Sequence, residues 1–191
     1  MCRVAFVVMA MVLGACAARD PYVSSGGTRQ SGNWQIEQQA DRITGVPTPY
    51  AMVVAPESSN SYAEKAAPAG LHLTCFDGKP LVRFAFDFKV GSETNSALGY
   101  RFDDKPGHDN VNVRFLQLYK TVVIEDRAEV IRFASELAGS RTLVVRIRSI
   151  NAGRTVAEFP VDGAGAAIEA GFAGCSLTEP QPAEKKRGAK A

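Results

Sequence analysis

Alternation between apolar and polar residues is the dominant pattern of this 191-residue chain, and it predicts β-strands. The strongest case is residues 82–90, where Val82, Phe84, Phe86 and Phe88 alternate with charged and small residues. A period of two places these side chains on opposite faces of one strand. Shorter stretches predict further strands at 34–38, 50–55, 71–75, 98–102, 142–150 and 155–159, with one strand or a broken pair within 113–124.

Two of the turns between these strands have hairpin chemistry. FDGKP joins the strand at 71–75 to the strand at 82–90, and NAGR joins 142–150 to 155–159. Asp-Gly and Gly-containing turns of this length favour tight connections between antiparallel strands. The pattern therefore predicts antiparallel pairing in at least these two places.

Residues 126–138 have the spacing of a helix instead. Asp126 is followed three residues later by Glu129, which is a capping pattern at a helix N-terminus. Apolar residues then recur at helical spacing, and Gly139 is a suitable residue to end the helix.

A second helix is predicted at residues 165–174, although its glycines weaken it. Ile168, Phe172 and Cys175 follow one another at i, i+4 and i+7, which places them on one face. Together the elements predict a mainly β fold, either a β-sandwich or a partly open antiparallel barrel, with one or two packed α-helices.

The N-terminus has the features of an export signal. Arg3 precedes an apolar run at residues 4–13, about the length of a signal-peptide core and about half of what a membrane-spanning helix needs. We therefore predict that residues 1–15 form a signal peptide that is removed.

Cys16 ends the stretch LGAC, which resembles the lipobox of bacterial lipoproteins. In this interpretation Cys16 becomes the first residue of the mature chain, carries acyl groups and attaches the protein to the membrane. Ala17 follows it, as in outer-membrane lipoproteins that face the periplasm. The alternative is ordinary cleavage at the small residues around Cys16, which would give a soluble periplasmic protein.

Composition divides the mature chain into three parts. Residues 16–33 are rich in Gly and Ser and lack periodicity, so we predict a lipidated flexible tether. Residues 34–177 have the length and apolar content of one β-rich globular domain. Residues 178–191 are rich in Pro and then in basic residues, which predicts a disordered basic tail.

Two cysteines remain after the signal peptide and Cys16 are set aside. Cys75 and Cys175 form an even pair in an oxidising compartment, which predicts a disulfide. The alternative is two buried free thiols. No CxxC motif or Cys/His cluster is present in the sequence, and we predict no metal site and no cofactor.

Charge and motifs also limit the function classes. The formal net charge is only +2, which is not the charge of a nucleic-acid-binding protein. The sequence contains no GxSxG, HExxH or P-loop motif. His72 alternates with apolar residues and is expected to point outward, and His108 lies in an acidic loop that is expected to be a polar connector. These observations predict a protein that is not an enzyme.

The order of several segments resembles a known family. A strand ending in Cys75, the segment Tyr100-Arg101, and a small-residue segment that starts at residues 159–163 and runs to Cys175 are similar to the type VI secretion-associated VasI/TagO group of small exported bacterial proteins. This resemblance implies a non-enzymatic accessory protein of the cell envelope, associated with a secretion system and bound to an envelope protein partner.

Two alternatives remain open at this point. The segment TCFDGK, followed by an alternating strand, resembles the start of membrane-bound lysozyme inhibitors, although their Ser-Gly-x-x-Tyr loop is poorly matched here. An enzyme that acts on cell-wall or lipid material is the third hypothesis, and it requires a cleft with carboxylates or an activated serine.

A candidate binding surface follows from the loops at one strand end. Four charged residues near that end are the candidates, because strand-end loops often carry binding. They are Arg101, Asp103, Asp104 and Arg114.

Overall fold

The computed structural model describes residues 22–178, in which the chain forms strands and two helices. The predicted signal peptide, Cys16 and residues 179–191 lie outside the described residues. The strands are β1 (Val23–Ser31), β2 (Trp34–Asp41), β3 (Tyr50–Asn60), β4 (Ala67–Phe76), β5 (Lys79–Phe86), β6 (Ser96–Phe102), β7 (His108–Val111), β8 (Arg114–Leu116), β9 (Thr121–Ile124), β10 (Thr142–Ser149) and β11 (Gly153–Pro160). The helices are α1 (Arg127–Leu137) and α2 (Ala164–Gly171).

The strands form one antiparallel sheet in the order β7-β6-β10-β11-β3-β4-β5-β9-β8, and the β1–β2 hairpin joins it through β3. Strands β7 and β8 lie at opposite ends of this order, yet only Asn112 and Val113 separate them in sequence. Three Cα–Cα steps span at most about 11 Å. The sheet must therefore curl until its two ends approach each other, which confirms the predicted mainly β class.

The core lies on the concave side of the curled sheet. Aromatic side chains fill its centre, and Phe133 of α1 packs edge-on against Tyr100 and Phe102, with ring centroids 5.1 Å and 5.0 Å away. The largest fully buried side chains include Trp34, Phe84, Phe102, Phe133 and Phe159. Helices α1 and α2 cover this side, so the opposite face of the sheet is the outer face of the molecule.

Helix α1 begins as the sequence predicts. The side chain of Asp126 accepts a hydrogen bond from the backbone N–H of Glu129 at 3.0 Å. The side chain of Glu129 does not complete a reciprocal cap but turns inward, where Tyr100 donates to it. The buried stripe of α1 is therefore partly polar.

Helix α2 packs through its smallest residues. Its buried positions are Ala164, Ala167 and Gly171, while Ile168 is half-buried at the edge of the core. A Cβ atom added at Gly171 would lie 2.7 Å from the backbone oxygen of Leu73. Small residues therefore allow α2 to approach β4 closely.

The N-terminal segment differs from its prediction. Residues 23–31 were predicted to be tether, but they form β1, which pairs with β2 along its whole length. The strand is exposed on both faces, so its side chains carry no alternation that sequence reading would detect. Six residues, 17–22, separate Cys16 from β1, and of these only Tyr22 lies within the described residues.

The Cys75–Cys175 disulfide is present and confirms the predicted pairing. It joins the end of β4 to the segment that follows α2, with the two Cα atoms 5.7 Å apart. No helix within residues 22–178 is long and apolar enough to cross a membrane.

Candidate functional site

Three of the four predicted surface residues lie together at the end of β6. Arg101 is exposed on the outer face of β6, and Asp104 is exposed in the turn that follows. Asp103 has a structural role instead, because its carboxylate accepts hydrogen bonds from the N–H groups of Thr142 at 2.8 Å and Arg141 at 3.1 Å. These bonds, led by that from Thr142, lower the pKa of Asp103.

The fourth predicted residue, Arg114, lies elsewhere in the strand order. It is on β8, at the other end of the sheet from β6, and forms an ion pair with Glu125 at 2.8 Å. Both partners of this pair are substantially exposed, so it contributes little stability.

A more concentrated charged surface lies on the outer face of β6, β10 and β11. Core residues occupy alternate positions of these strands, which leaves four arginines and one carboxylate, Glu158, on the opposite side. We call this surface the arginine face, and its members are Arg101, Arg146, Arg148 and Arg154.

The register of the β10–β11 hairpin sets two of these arginines against each other. Arg148 and Arg154 are direct cross-strand partners, and Arg146 is one step further along the same face. Like charges directly opposite each other destabilise a sheet. The fold therefore keeps a locally unfavourable arrangement of charge on an exposed surface.

Asp109 of β7 partly compensates this charge. Its carboxylate lies 3.2 Å from the guanidinium of Arg146 and 2.9 Å from that of Arg148. Desolvation alone would raise the pKa of Asp109, but the N–H of Asn110 and the two guanidiniums outweigh it and lower the pKa. A Cβ atom at Gly99 would lie 3.0 Å from Asp109 Oδ1, so a glycine there makes room for the contact.

The side chains of Arg101 and Arg154 have no hydrogen-bond or ion-pair partner among residues 22–178. Two open cavities lie along the face. One, of about 560 Å³, is lined by Arg148, Arg154 and Asn95, and the other, of about 360 Å³, is lined by Arg101 and Arg146. The face thus offers free guanidinium groups beside concave surface, an arrangement suited to carboxylate or phosphate groups.

A buried polar network lies on the core side of the same strands. The Tyr100 hydroxyl donates to Glu129 Oε1 at 2.6 Å, and Glu129 also pairs with Arg132. Burial raises the pKa of Tyr100 to about 12, although the nearby guanidinium of Arg132 opposes the shift. A phenol with this pKa stays protonated at neutral pH and serves as a hydrogen-bond donor.

A second part of the network ties the other end of α1 to the sheet. His108 Nε2 lies 2.7 Å from Glu136 Oε1. Lys105 donates to the backbone oxygen of Glu136 and to the Ser140 hydroxyl, both at 2.9 Å. These acid and base groups bond one another and the backbone, so their observed contacts hold α1 in place.

His72 and Arg83 are neighbours on the outer face of β4 and β5. His72 is largely buried, and burial, followed by the charge of Arg83, lowers its pKa to about 4. Its Nδ1 atom is buried and has no hydrogen-bond partner within the described chain. His72 is therefore a neutral, covered side chain. Among residues 22–178, no group of three or more His, Cys, Asp or Glu side chains is placed to hold a metal ion.

Sequence reasoning missed the arginine face for a specific reason. The sequence prediction leaves Arg154 in the NAGR turn, whereas the structure begins β11 at Gly153 and sets Arg154 opposite Arg148. The contribution of Asp109 depends on the pairing of β6 with β7, a short strand of four residues without an apolar pattern.

Comparisons with protein-family models, with curated proteins and with solved structures find no match to this chain.

Proposed function

We propose that this chain is an exported bacterial lipoprotein whose β-rich body binds an envelope protein, and that it acts by binding rather than by catalysis. The lipobox-like stretch that ends at Cys16 supports export and attachment to the membrane. The Cys75–Cys175 disulfide independently supports export, because such bonds persist in oxidising compartments such as the periplasm. Ala17 favours an outer-membrane lipoprotein that faces the periplasm.

The observation that carries the binding role is the Arg148–Arg154 cross-strand pair. A surface that is unfavourable for stability by itself is typical of a site that is stabilised by its ligand. Arginine is also enriched in protein interfaces, and here Val144 and Val156 lie on the same face, directly opposite Arg101 and Arg146 in the strand register. The partner expected to fit is an envelope protein with exposed carboxylates.

The polar network favours binding over catalysis. Tyr100 pairs with Glu129 and His108 with Glu136, and Glu129 also pairs with Arg132, while Glu136 Oε2 is buried without a hydrogen-bond partner in the described chain. In this proposal the network holds α1 against the strands that carry the arginine face.

Membrane fractionation tests the anchor. Cys16→Ser is expected to move the protein from the membrane fraction to the soluble periplasmic fraction, because the acylated cysteine is lost. Cys2→Ser, within the predicted signal peptide, is the matched control and should leave the protein in the membrane. Unchanged partitioning of Cys16→Ser would refute lipidation.

Crosslinking and capture from native envelopes test the binding face. A partner that uses this face is recovered with the wild type and with Arg29→Gln/Lys79→Gln, a control that removes two positive charges from exposed positions on β1 and β5, but is lost with Arg148→Gln/Arg154→Gln. Its recovery should also fall as salt is raised. Equal recovery by all three proteins would remove the arginine face from the proposal.

The identity of the captured protein separates the finer hypotheses. Secretion-system components would support the accessory role that the family resemblance implies. Lysozyme, together with inhibition of purified lysozyme, would favour the inhibitor hypothesis.

A further inference from the structure

The loop between β2 and β3 ends in a well-defined tip. The carboxylate of Asp41 accepts hydrogen bonds from the N–H groups of Ile43 at 2.8 Å and Thr44 at 2.7 Å. The backbone N–H of Asp41 donates to Val46 at 2.9 Å and closes the turn. Hydrogen bonds therefore hold the backbone of this tip in one conformation.

The tip displays apolar side chains to solvent. Ile43 is 85% exposed and Val46 is 55% exposed. These side chains therefore gain little burial free energy from the fold. Because both lie on one hydrogen-bonded turn, they form a small apolar surface that is available to a partner outside the described chain.

The described chain begins at the same place. The backbone oxygen of Tyr22 accepts a hydrogen bond from the N–H of Arg42 at 3.0 Å, and Val23 pairs with Asp41. The Tyr22 side chain is 70% exposed. We call Tyr22, Arg42, Ile43 and Val46 the N-terminal tip.

The length of chain before Tyr22 limits how far the tip lies from Cys16. Six residue steps separate Cys16 from Tyr22, and a fully extended chain of that length spans about 20 Å. If Cys16 carries acyl groups, the N-terminal tip stays within that distance of the membrane that holds them.

We propose that the N-terminal tip docks on the membrane in which Cys16 is anchored, with Ile43 and Val46 inserted at the headgroup boundary. This inference rests on the lipid anchor of the proposed function. A tyrosine and an arginine beside an apolar pair suit the interface between headgroups and acyl chains. The tip thereby gives the lipoprotein a second membrane contact besides its acyl chains.

This docking also sets the orientation of the body. The tip lies beyond the Tyr50 end of β3, whereas Arg148 and Arg154 lie near its Asn60 end. Eleven residues of strand separate these ends by about 30 Å. The arginine pair then points away from the anchoring membrane, toward partners in the periplasm.

The chain contains a matched control for this proposal. Ile150 is 73% exposed in the β10–β11 turn, at the opposite end of the sheet from Ile43. An environment-sensitive dye is attached to Ile43→Cys or Ile150→Cys in the full, lipidated protein. The protein is then reconstituted into vesicles of phosphatidylethanolamine and phosphatidylglycerol, and intact mass confirms the acyl groups.

We expect the dye at position 43 to report an apolar environment and to be quenched by lipid-attached quenchers, while the dye at position 150 stays in water. Equal exposure of both dyes to water in acylated protein would overturn the docking proposal, and equal burial of both would overturn the orientation. Protein without acyl groups would overturn the anchor itself, and intact mass distinguishes that result from the other two.

A second measurement uses protease access to the tether. Trypsin cleavage after Arg19 in vesicle-bound, acylated protein is expected to be at least tenfold faster in Ile43→Ser/Val46→Ser than in the wild type, because the two lost apolar contacts together exceed the about 1.4 kcal/mol that a tenfold change requires. Ile150→Ser is expected to behave as the wild type. The exposed substitutions leave the fold intact, so unchanged cleavage in the double variant would count against docking.

Discussion

Helices α1 and α2 cover the same curled sheet, but different chemistry attaches each of them. Helix α2 approaches β4 through Ala167 and Gly171, and the disulfide fixes the segment that follows it. Helix α1 is joined to β6 and β7 by Phe133 and by the hydrogen bonds of Glu129 and Glu136. The α2 attachment therefore depends on oxidation and close packing, and the α1 attachment on aromatic packing and buried hydrogen bonds.

The largest expected effect comes from breaking the covalent attachment of α2. The disulfide closes a loop across 100 positions, so Cys75→Ser/Cys175→Ser is expected to lose about 2–5 kcal/mol of unfolding free energy. Chemical denaturation of the oxidised wild type and of the double variant measures this loss. Wild type that has been reduced with dithiothreitol is the control and should match the variant. Equal stability of all three would mean that packing alone holds α2.

The close packing of α2 is tested by adding one methyl group. In Gly171→Ala the new Cβ would lie 2.7 Å from both the Cβ and the backbone oxygen of Leu73, so α2 must move away from β4. We expect a loss of about 1–3 kcal/mol in thermal or chemical unfolding.

Gly165→Ala is the matched control for that substitution. It lies in the same helix, and an added Cβ there meets nothing within 4 Å. Alanine is the better helix former by about 1 kcal/mol, so this variant should be slightly more stable than the wild type. A gain in stability in both variants would show that helix propensity, and not contact with β4, governs position 171.

The two helices also differ in how well the sequence predicts them. The start of α1 follows from Asp126, whose local cap needs no tertiary information. The inward turn of Glu129 does not follow, because its partner Tyr100 is 29 positions away and is brought near only by the curl of the sheet. For α2, apolar spacing identifies Ile168 and Phe172 but not the small-residue face, because Ala and Gly carry no hydrophobic signal.

The same limit applies to the candidate sites. The predicted hairpin identifies the two strands but leaves Arg154 in the NAGR turn, so the cross-strand pair Arg148–Arg154 follows only from the register of the structure. The N-terminal tip requires knowing that β1 pairs with β2 and brings Tyr22 to Arg42, and the exposed residues of β1 give no such indication.

The polar attachment of α1 is tested by removing one hydroxyl. Tyr100→Phe keeps the aromatic packing against Phe133 but leaves Glu129 Oε1 without its donor. An unsatisfied buried acceptor costs about 1–3 kcal/mol, and Arg132 remains to offset part of that. We therefore expect a loss of about 1–2 kcal/mol by denaturation. Tyr62→Phe, at an exposed position, should change nothing. If Tyr100→Phe leaves the free energy of unfolding unchanged, the aromatic contacts alone hold α1 against the sheet.

The smallest expected effect is a selective sensitivity of this attachment to alkaline pH. The pKa of Tyr100 is raised in the folded protein to about 12, above the value of about 10 for an unfolded tyrosine. Between these pH values the unfolded chain loses a proton that the folded chain keeps. The contribution of Tyr100 to the free energy of unfolding is therefore fully present below about pH 10 and is lost as pH rises through 12. Between neutral pH and about pH 11, the free energy of unfolding should fall by roughly 1 kcal/mol more in the wild type than in Tyr100→Phe. Chemical denaturation at each pH measures this difference. Parallel pH profiles for the two proteins would show that Tyr100 does not couple α1 to pH, and the contrast between the two helices would then be one of redox state alone.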